Sequence, residues 1–221
     1  MNQPKNRVRL VDNLLAGKAQ KLTIYGTSLS YHLAPVLRMT FHARFGELIS
    51  VINSGMSGCA SRTGLQSLED KVLRHKPDTL LMEWAINDAH DYHHVPGAID
   101  QGISQEESRE NLSALIERIE SSSPNTEILL WTTNPTFDVG AQVGRSARPE
   151  LEGYYRGVRE VASARGLRVI DAENFWNLMR EHAEDMFRAL IPDGVHPTPT
   201  ALRAHLVPFL LEEMGVPTQT S

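Results

Sequence analysis

The sequence predicts an α/β fold in which a mainly parallel, five-stranded sheet is covered on both faces by helices. Three observations point there. Short apolar, β-prone runs recur near residues 21–26, 48–53, 79–85, 127–133 and 168–171. Between them lie segments with helical spacing, at intervals that fit the crossovers of βαβ units. Pro35, Gly46, Pro77, Pro124 and Gly166 punctuate the pattern as residues that end or interrupt regular structure.

Length and composition set the scale. With 221 residues, 41% of them apolar, and no low-complexity tract, the chain can bury one sizeable core. One domain over residues 1–221 is therefore expected, with residues 1–20 as an amino-terminal extension carrying a short amphipathic helix (Val8, Leu10, Val11, Leu14, Leu15). A net charge of -5 and scattered Lys and Arg residues argue against a nucleic-acid partner. The polar start, Met1 to Arg7, lacks the apolar segment and cleavage site of a signal peptide. No apolar run approaches the roughly 20 residues needed to span a bilayer. A single cysteine, Cys59, excludes an intramolecular disulfide, so a cytoplasmic location is the expectation. Nothing in the sequence indicates an oligomeric state.

In chain order, the first run ends at Gly26-Thr27-Ser28 and gives way to a helix expected over 34–45. The second run ends in Asn53-Ser54-Gly55-Met56-Ser57-Gly58, before a helix over 64–75; the third ends in Trp84-Ala85-Ile86-Asn87-Asp88, before a helix over 105–121. The fourth ends in Thr132-Thr133-Asn134-Pro135 and opens a loop to about Pro149, longer than such connections usually are. Helices over 150–165, 173–187 and 198–214 complete the pattern. In an open parallel sheet, ligands bind beyond the carboxyl ends of the strands, so these exits are where chemistry is sought.

Ser28 sits at the first of them. A serine hydroxyl is a weak nucleophile at neutral pH and needs a base. The best candidate lies near the far end, in Asp193-Gly194-Val195-His196-Pro197. Each piece has an ordinary reading too: Gly-Thr-Ser suits a helix N-cap, and Asp-Gly-x-His-Pro suits a plain turn. His32, four residues after Ser28, is a rival base, though that spacing on a helix fits a surface or packing residue.

Taken together, four blocks, Gly26-Thr27-Ser28-Leu29-Ser30, Asn53 to Gly58, Ala85-Ile86-Asn87-Asp88 and Asp193 to His196, resemble the SGNH hydrolases, the GDSL-type esterase superfamily. The resemblance covers residues 21 to about 200. It implies a flavodoxin-like three-layer α/β/α sandwich, with Ser28 as nucleophile, His196 as base and Asp193 as the residue that orients it. An oxyanion hole of Ser28, Gly58 and Asn87 is implied as well, with Gly58 preferred to Gly55. No metal or organic cofactor is implied. The implied activity is a serine esterase acting on short-acyl, above all acetyl, esters, with a small-molecule or glycan ester as substrate. Two departures from the family pattern, Thr27 for Asp and Ala85 for Gly, motivate an alternative, a non-catalytic glycan-binding domain; an acyltransferase using the same nucleophile is a further one.

Other residues are candidates for the lining of the site. Asp88, His90, Asp91, His93 and His94 carry ligand types that zinc uses, but without regular spacing; the wall of a substrate cleft is the expected role. In the long fourth loop, Phe137 is a candidate substrate platform, and Arg145 and Arg148 are candidates for meeting an anionic group. Trp176, Met179 and Phe187 fit core packing.

Overall fold

The computed structural model describes residues 7–90, 102–140 and 148–217. In chain order the elements are α1 (Arg9–Leu15), β1 (Gln20–Gly26), α2 (Ser28–Phe45), β2 (Ile49–Gly55), α3 (Ser61–Lys71), β3 (Thr79–Met82), α4 (Ala85–Asp88) and α5 (Gln105–Ser122). They continue with β4 (Glu127–Thr132), α6 (Leu151–Arg165), β5 (Arg168–Asp171), α7 (Ala172–His182) and α8 (Glu184–Leu190). Finally α9 (Pro199–Ala201) runs through a π-helical turn (Leu202–Leu206) into α10 (Val207–Glu213).

The strands form one parallel sheet of order β2-β1-β3-β4-β5. Successive strand residues point to opposite faces. Leu80 and Leu81, adjacent in β3, are both wholly buried, as are Leu22, Ile24, Leu130 and Ile170, so the sheet is covered on both sides. Burying each such side chain contributes about 1.5–3 kcal/mol. Right-handed crossovers explain how the layers divide. The connection from β1 to β2 runs one way along the sheet, so α2 covers one face. Those from β2 to β3, β3 to β4 and β4 to β5 run the other way, and α5 packs between α3 and α6 on the opposite face. The chain reverses direction between β1 and β3, which places a cleft at their carboxyl ends. No helix among the described residues is long and apolar enough to cross a membrane.

Several boundaries depart from the sequence expectation, each for a local reason. The first long helix begins at Ser28, not near 34, because Pro35 lies inside it and does not open it. Pro35 has no N–H for the Tyr31 carbonyl one turn back. Asn53 Nδ2 of β2 donates to that carbonyl instead, at 2.9 Å, so the helix continues. The third strand closes at Met82; Glu83 N–H still bonds the Tyr25 carbonyl at 3.1 Å, but Ala85 already starts α4. The helix expected over 173–187 divides at Ala183 into α7 and α8. That expected over 198–214 widens to the π-turn just before Pro208, which offers no N–H to Ala204. The amino-terminal helix is tied to the sheet: both oxygens of Glu127 accept its leading amides, from Arg9 at 2.9 Å and Leu10 at 3.1 Å.

Candidate active site

Ser28 emerges at the directional switch of the sheet as the first residue of α2. Thr27 caps that helix, its Oγ1 accepting the Leu29 N–H at 3.2 Å. The opening amides of a helix have no partner within it, and the Ser28 N–H is one of them, at the positive end of the helix dipole. Ser28 Oγ lies 2.7 Å from Nε2 of His196.

The imidazole is delivered by a loop that its own backbone braces. Nδ1 of His196 lies 2.6 Å from Oδ2 of Asp193, while Oδ1 accepts the amides of Val195 (2.9 Å) and His196 (2.7 Å). A carboxylate only accepts, so Nδ1 carries the proton and Nε2 is free to accept from Ser28. Partial desolvation pushes the Asp193 carboxyl up, but the amides of His196 and Val195, with the His196 ring, outweigh it and hold the group below its ordinary range. The loop is fastened to the end of β4. Asn134 Nδ2 donates to the Val195 carbonyl at 2.9 Å, and the Phe137 N–H to the Gly194 carbonyl at 3.0 Å.

On the β2 side, the two glycines separate clearly. A Cβ at Gly55 would collide with the backbone of Tyr31, so that glycine serves the close passage of α2 over β2. Gly58 has φ +73°, a left-handed conformation that glycine adopts at little cost, and a Cβ there would meet open space. Gly58 is exposed, whereas Gly55 is half-buried. Asn87, in α4 at the exit of β3, donates from Nδ2 to the Cys59 carbonyl at 2.8 Å, which joins the β2 and β3 exits. Among the described residues the second hydrogen of that amide has no acceptor.

Other candidates fall elsewhere. Asp88 was expected to line the cleft, but it is buried, with Oδ1 accepting the Ser61 N–H (2.8 Å) and Oδ2 the Ser108 hydroxyl (2.6 Å). It holds α3 and α5 to the Asn87 turn. His90 is buried beside it. Asp91, His93, His94 and Arg145 lie outside the described residues. Among the described residues no group of three or more His, Cys, Asp or Glu is arranged to hold a metal ion. Arg148, a candidate for meeting an anionic group, is instead buried: it donates from Nε to the Ile86 carbonyl and fastens the fourth loop to α4.

Phe137 is half-buried, its ring 5.5 Å from that of Phe187, with the Arg188 guanidinium 4.7 Å over it. Together with Arg180, Glu181 and Glu184 these residues line a surface cavity of about 370 Å³ beside the His196 loop. Trp176 and Phe187 are core, and Met179 packs against it. His32 is exposed, its ring edge-on to His196 at 5.7 Å; partial burial and then the His196 charge lower its pKa. It borders the Ser28–His196 pair, and the hydrogen bond to Ser28 Oγ is made with His196.

Sequence reasoning passed over two residues that support this arrangement. Asn134 gives no signal beyond its place at a strand exit. Glu83 does: it is a carboxylate directly after the apolar run Thr79-Leu80-Leu81-Met82, where burial demands partners.

The sequence matches the GDSL-like Lipase/Acylhydrolase family over residues 25–204. No curated protein matches it. Among solved structures, a catalytic mutant of Axe2, an acetylxylan esterase from Geobacillus stearothermophilus, is similar with a TM-score of 0.74 at 22% identity, covering 92% of this chain and 98% of that one. LAE5, an alpha/beta hydrolase enzyme from the metagenome of Lake Arreo, is similar with a TM-score of 0.72 at 22% identity, covering 90% and 96%. At such identities the likeness speaks for the fold.

Proposed function

The chain belongs to the GDSL-like Lipase/Acylhydrolase family and is a carboxylic ester hydrolase, and from that premise we propose that it removes short acyl groups, chiefly acetyl, from carbohydrate esters. In this reading Ser28 is the nucleophile, His196 the base, and Asp193 the residue that orients it. The observation carrying the proposal is the unbroken hydrogen-bond chain from Ser28 Oγ through both nitrogens of His196 to Asp193, at 2.7 and 2.6 Å.

The steps follow from those contacts. Ser28 Oγ attacks the acyl carbonyl while Nε2 of His196 takes its proton, a contribution of about 10² to 10⁴ in rate. Negative charge gathers on the carbonyl oxygen, where the amides of Ser28 and Gly58 and the Asn87 side chain would receive it. One donor of this kind is worth about 3 kcal/mol in the transition state. Collapse expels the alcohol, protonated by His196, and water then repeats the sequence to release the acid. Neither departure from the family motif interrupts the chain. Thr27 still caps α2 through its hydroxyl, and Ala85 takes ordinary helical geometry at the start of α4.

The acetyl-carbohydrate part draws on two supports: the acetylxylan esterase among the similar structures, and the open rim of the site. His196 is half-exposed, and the exposed Tyr31 and His32 rings stand beside it, leaving room for a bulky alcohol half. A panel of p-nitrophenyl acetate, butyrate and octanoate, run beside acetylated xylan and acetylated monosaccharides, tests this. The expected result is a kcat/KM for acetate at least about 10-fold above that for butyrate, the scale a pocket gives for added methylenes. Free acetate should be the product even with a competing sugar acceptor. Preference for octanoate, or transfer of the acyl group to the sugar, overturns the assignment.

A further inference from the structure

We propose that Glu83 is a positioning residue of the nucleophile turn: its buried carboxylate gathers the residues on either side of Ser28 and fixes the hydroxyl against His196. The proposal rests on the reading of Ser28 as nucleophile. Glu83 follows β3 directly and is only 3% exposed. A single oxygen, Oε1, accepts three hydrogen bonds, from the Thr27 N–H (2.7 Å), the Thr27 hydroxyl (2.9 Å) and the Ser30 hydroxyl (2.9 Å). Ser28 therefore sits between two residues clamped to one atom of the neighbouring strand's exit. Thr27 and Ser30 are themselves wholly buried, so no solvent contact substitutes for that atom.

Two further observations separate this role from ordinary core packing. A Cβ built at Gly26 would lie 2.3 Å from the Glu83 carbonyl oxygen and 2.5 Å from both Glu83 Oε1 and Ser30 Oγ, so only a glycine lets the turn pass this closely against Glu83, backbone and carboxylate alike. The second oxygen, Oε2, is buried with no hydrogen-bond partner among the described residues. A buried acidic group left half-satisfied is costly to the fold. Desolvation outweighs the Thr27 and Ser30 bonds and pushes its pKa up to about 7. A neutral acceptor would avoid the cost of burying a charge, but some acceptor for three convergent donors is what the turn requires. Thr27 completes the match. An aspartate there, as in the family motif, would set a second carboxylate against Oε1, and the threonine hydroxyl donates to it instead.

The test compares Glu83→Gln with Glu83→Leu, measuring kcat and KM for p-nitrophenyl acetate together with the melting temperature. Gln keeps an acceptor oxygen and should hold kcat within about 5-fold, the scale of one weakened hydrogen bond. Leu keeps volume without an acceptor and should lower kcat by roughly 10²-fold, the scale of a misplaced reacting group, with KM unchanged. Should the leucine variant fail to fold, Ser30→Ala and Thr27→Val decide. Each removes one donor to Glu83, Thr27→Val the cap of α2 as well, and Ser30→Ala, the cleaner of the two, should lower kcat about 5-fold without moving KM. Full kcat in a folded leucine variant, or equal losses in the Gln and Leu variants, overturns the role; so does unchanged kcat in both donor variants. Ser28→Ala run alongside keeps the failures apart. If it retains activity, the underlying reading falls; if it is dead beside a fully active Glu83→Leu, only the role of Glu83 falls.

Discussion

Ser28→Ala is expected to lower hydrolysis of p-nitrophenyl acetate by roughly 10⁵-fold or more, with the fold intact. The size follows from what one oxygen does. In the proposed mechanism it forms the bond to the acyl group, and no neighbouring side chain takes its place: Ser30 lies two residues on, but its hydroxyl is buried and donates to Glu83. Loss of the nucleophile in serine hydrolases leaves only binding and oxyanion stabilisation, about 10³ to 10⁴ over water. Stability should hardly move, within about 0.5 kcal/mol, because alanine suits the first turn of α2 and the capping bond comes from Thr27. Steady-state kinetics and a thermal melt on the same preparation check both halves. Activity within tenfold of the parent would remove Ser28 from the mechanism.

Asp193→Asn should cost nearly as much, about 10⁴ in kcat, for a reason that lies in the proton inventory of His196. Oδ1 of Asp193 accepts two backbone amides, from Val195 and His196, so an asparagine must keep its oxygen there. Its NH₂ then faces Nδ1 of the imidazole, where Oδ2 now accepts at 2.6 Å. Two donors cannot pair, so the ring takes the tautomer with the proton on Nε2. That nitrogen is then unable to receive the Ser28 proton. Shape and packing are preserved, and Asp193 is solvent-exposed, so the melting temperature should stay close to that of the parent. Rate measurements across pH 5 to 9 check it. A loss under tenfold throughout would show that the tautomer is fixed by something other than Asp193.

Much of this arrangement was legible in the sequence because strands announce themselves by apolar runs and active residues follow them. The five strand positions were found to within a few residues, and so were the exits bearing Ser28, Gly58 and Asn87. Helix starts were less legible. Pro35 reads as an opening residue, and only the side chain of Asn53, on another strand, lets the helix run through it. The lining of the site was hidden for a related reason. Asp88 and Arg148 look like solvent-facing polar residues, and only tertiary structure supplies the buried partners Ser61, Ser108 and Ile86 that make them braces. Glu83 was overlooked because its three donors come from a turn more than fifty residues earlier, a pairing that no local pattern displays.

The central claim is that a hydroxyl at the end of β1 is activated by an imidazole carried from the carboxy-terminal loop. Reaction with a fluorophosphonate, followed by peptide mass mapping, reads it most directly. The account predicts one adduct, on Ser28, and its disappearance in His196→Ala. An adduct on another residue, or labelling of Ser28 at an undiminished rate without the histidine, would contradict it.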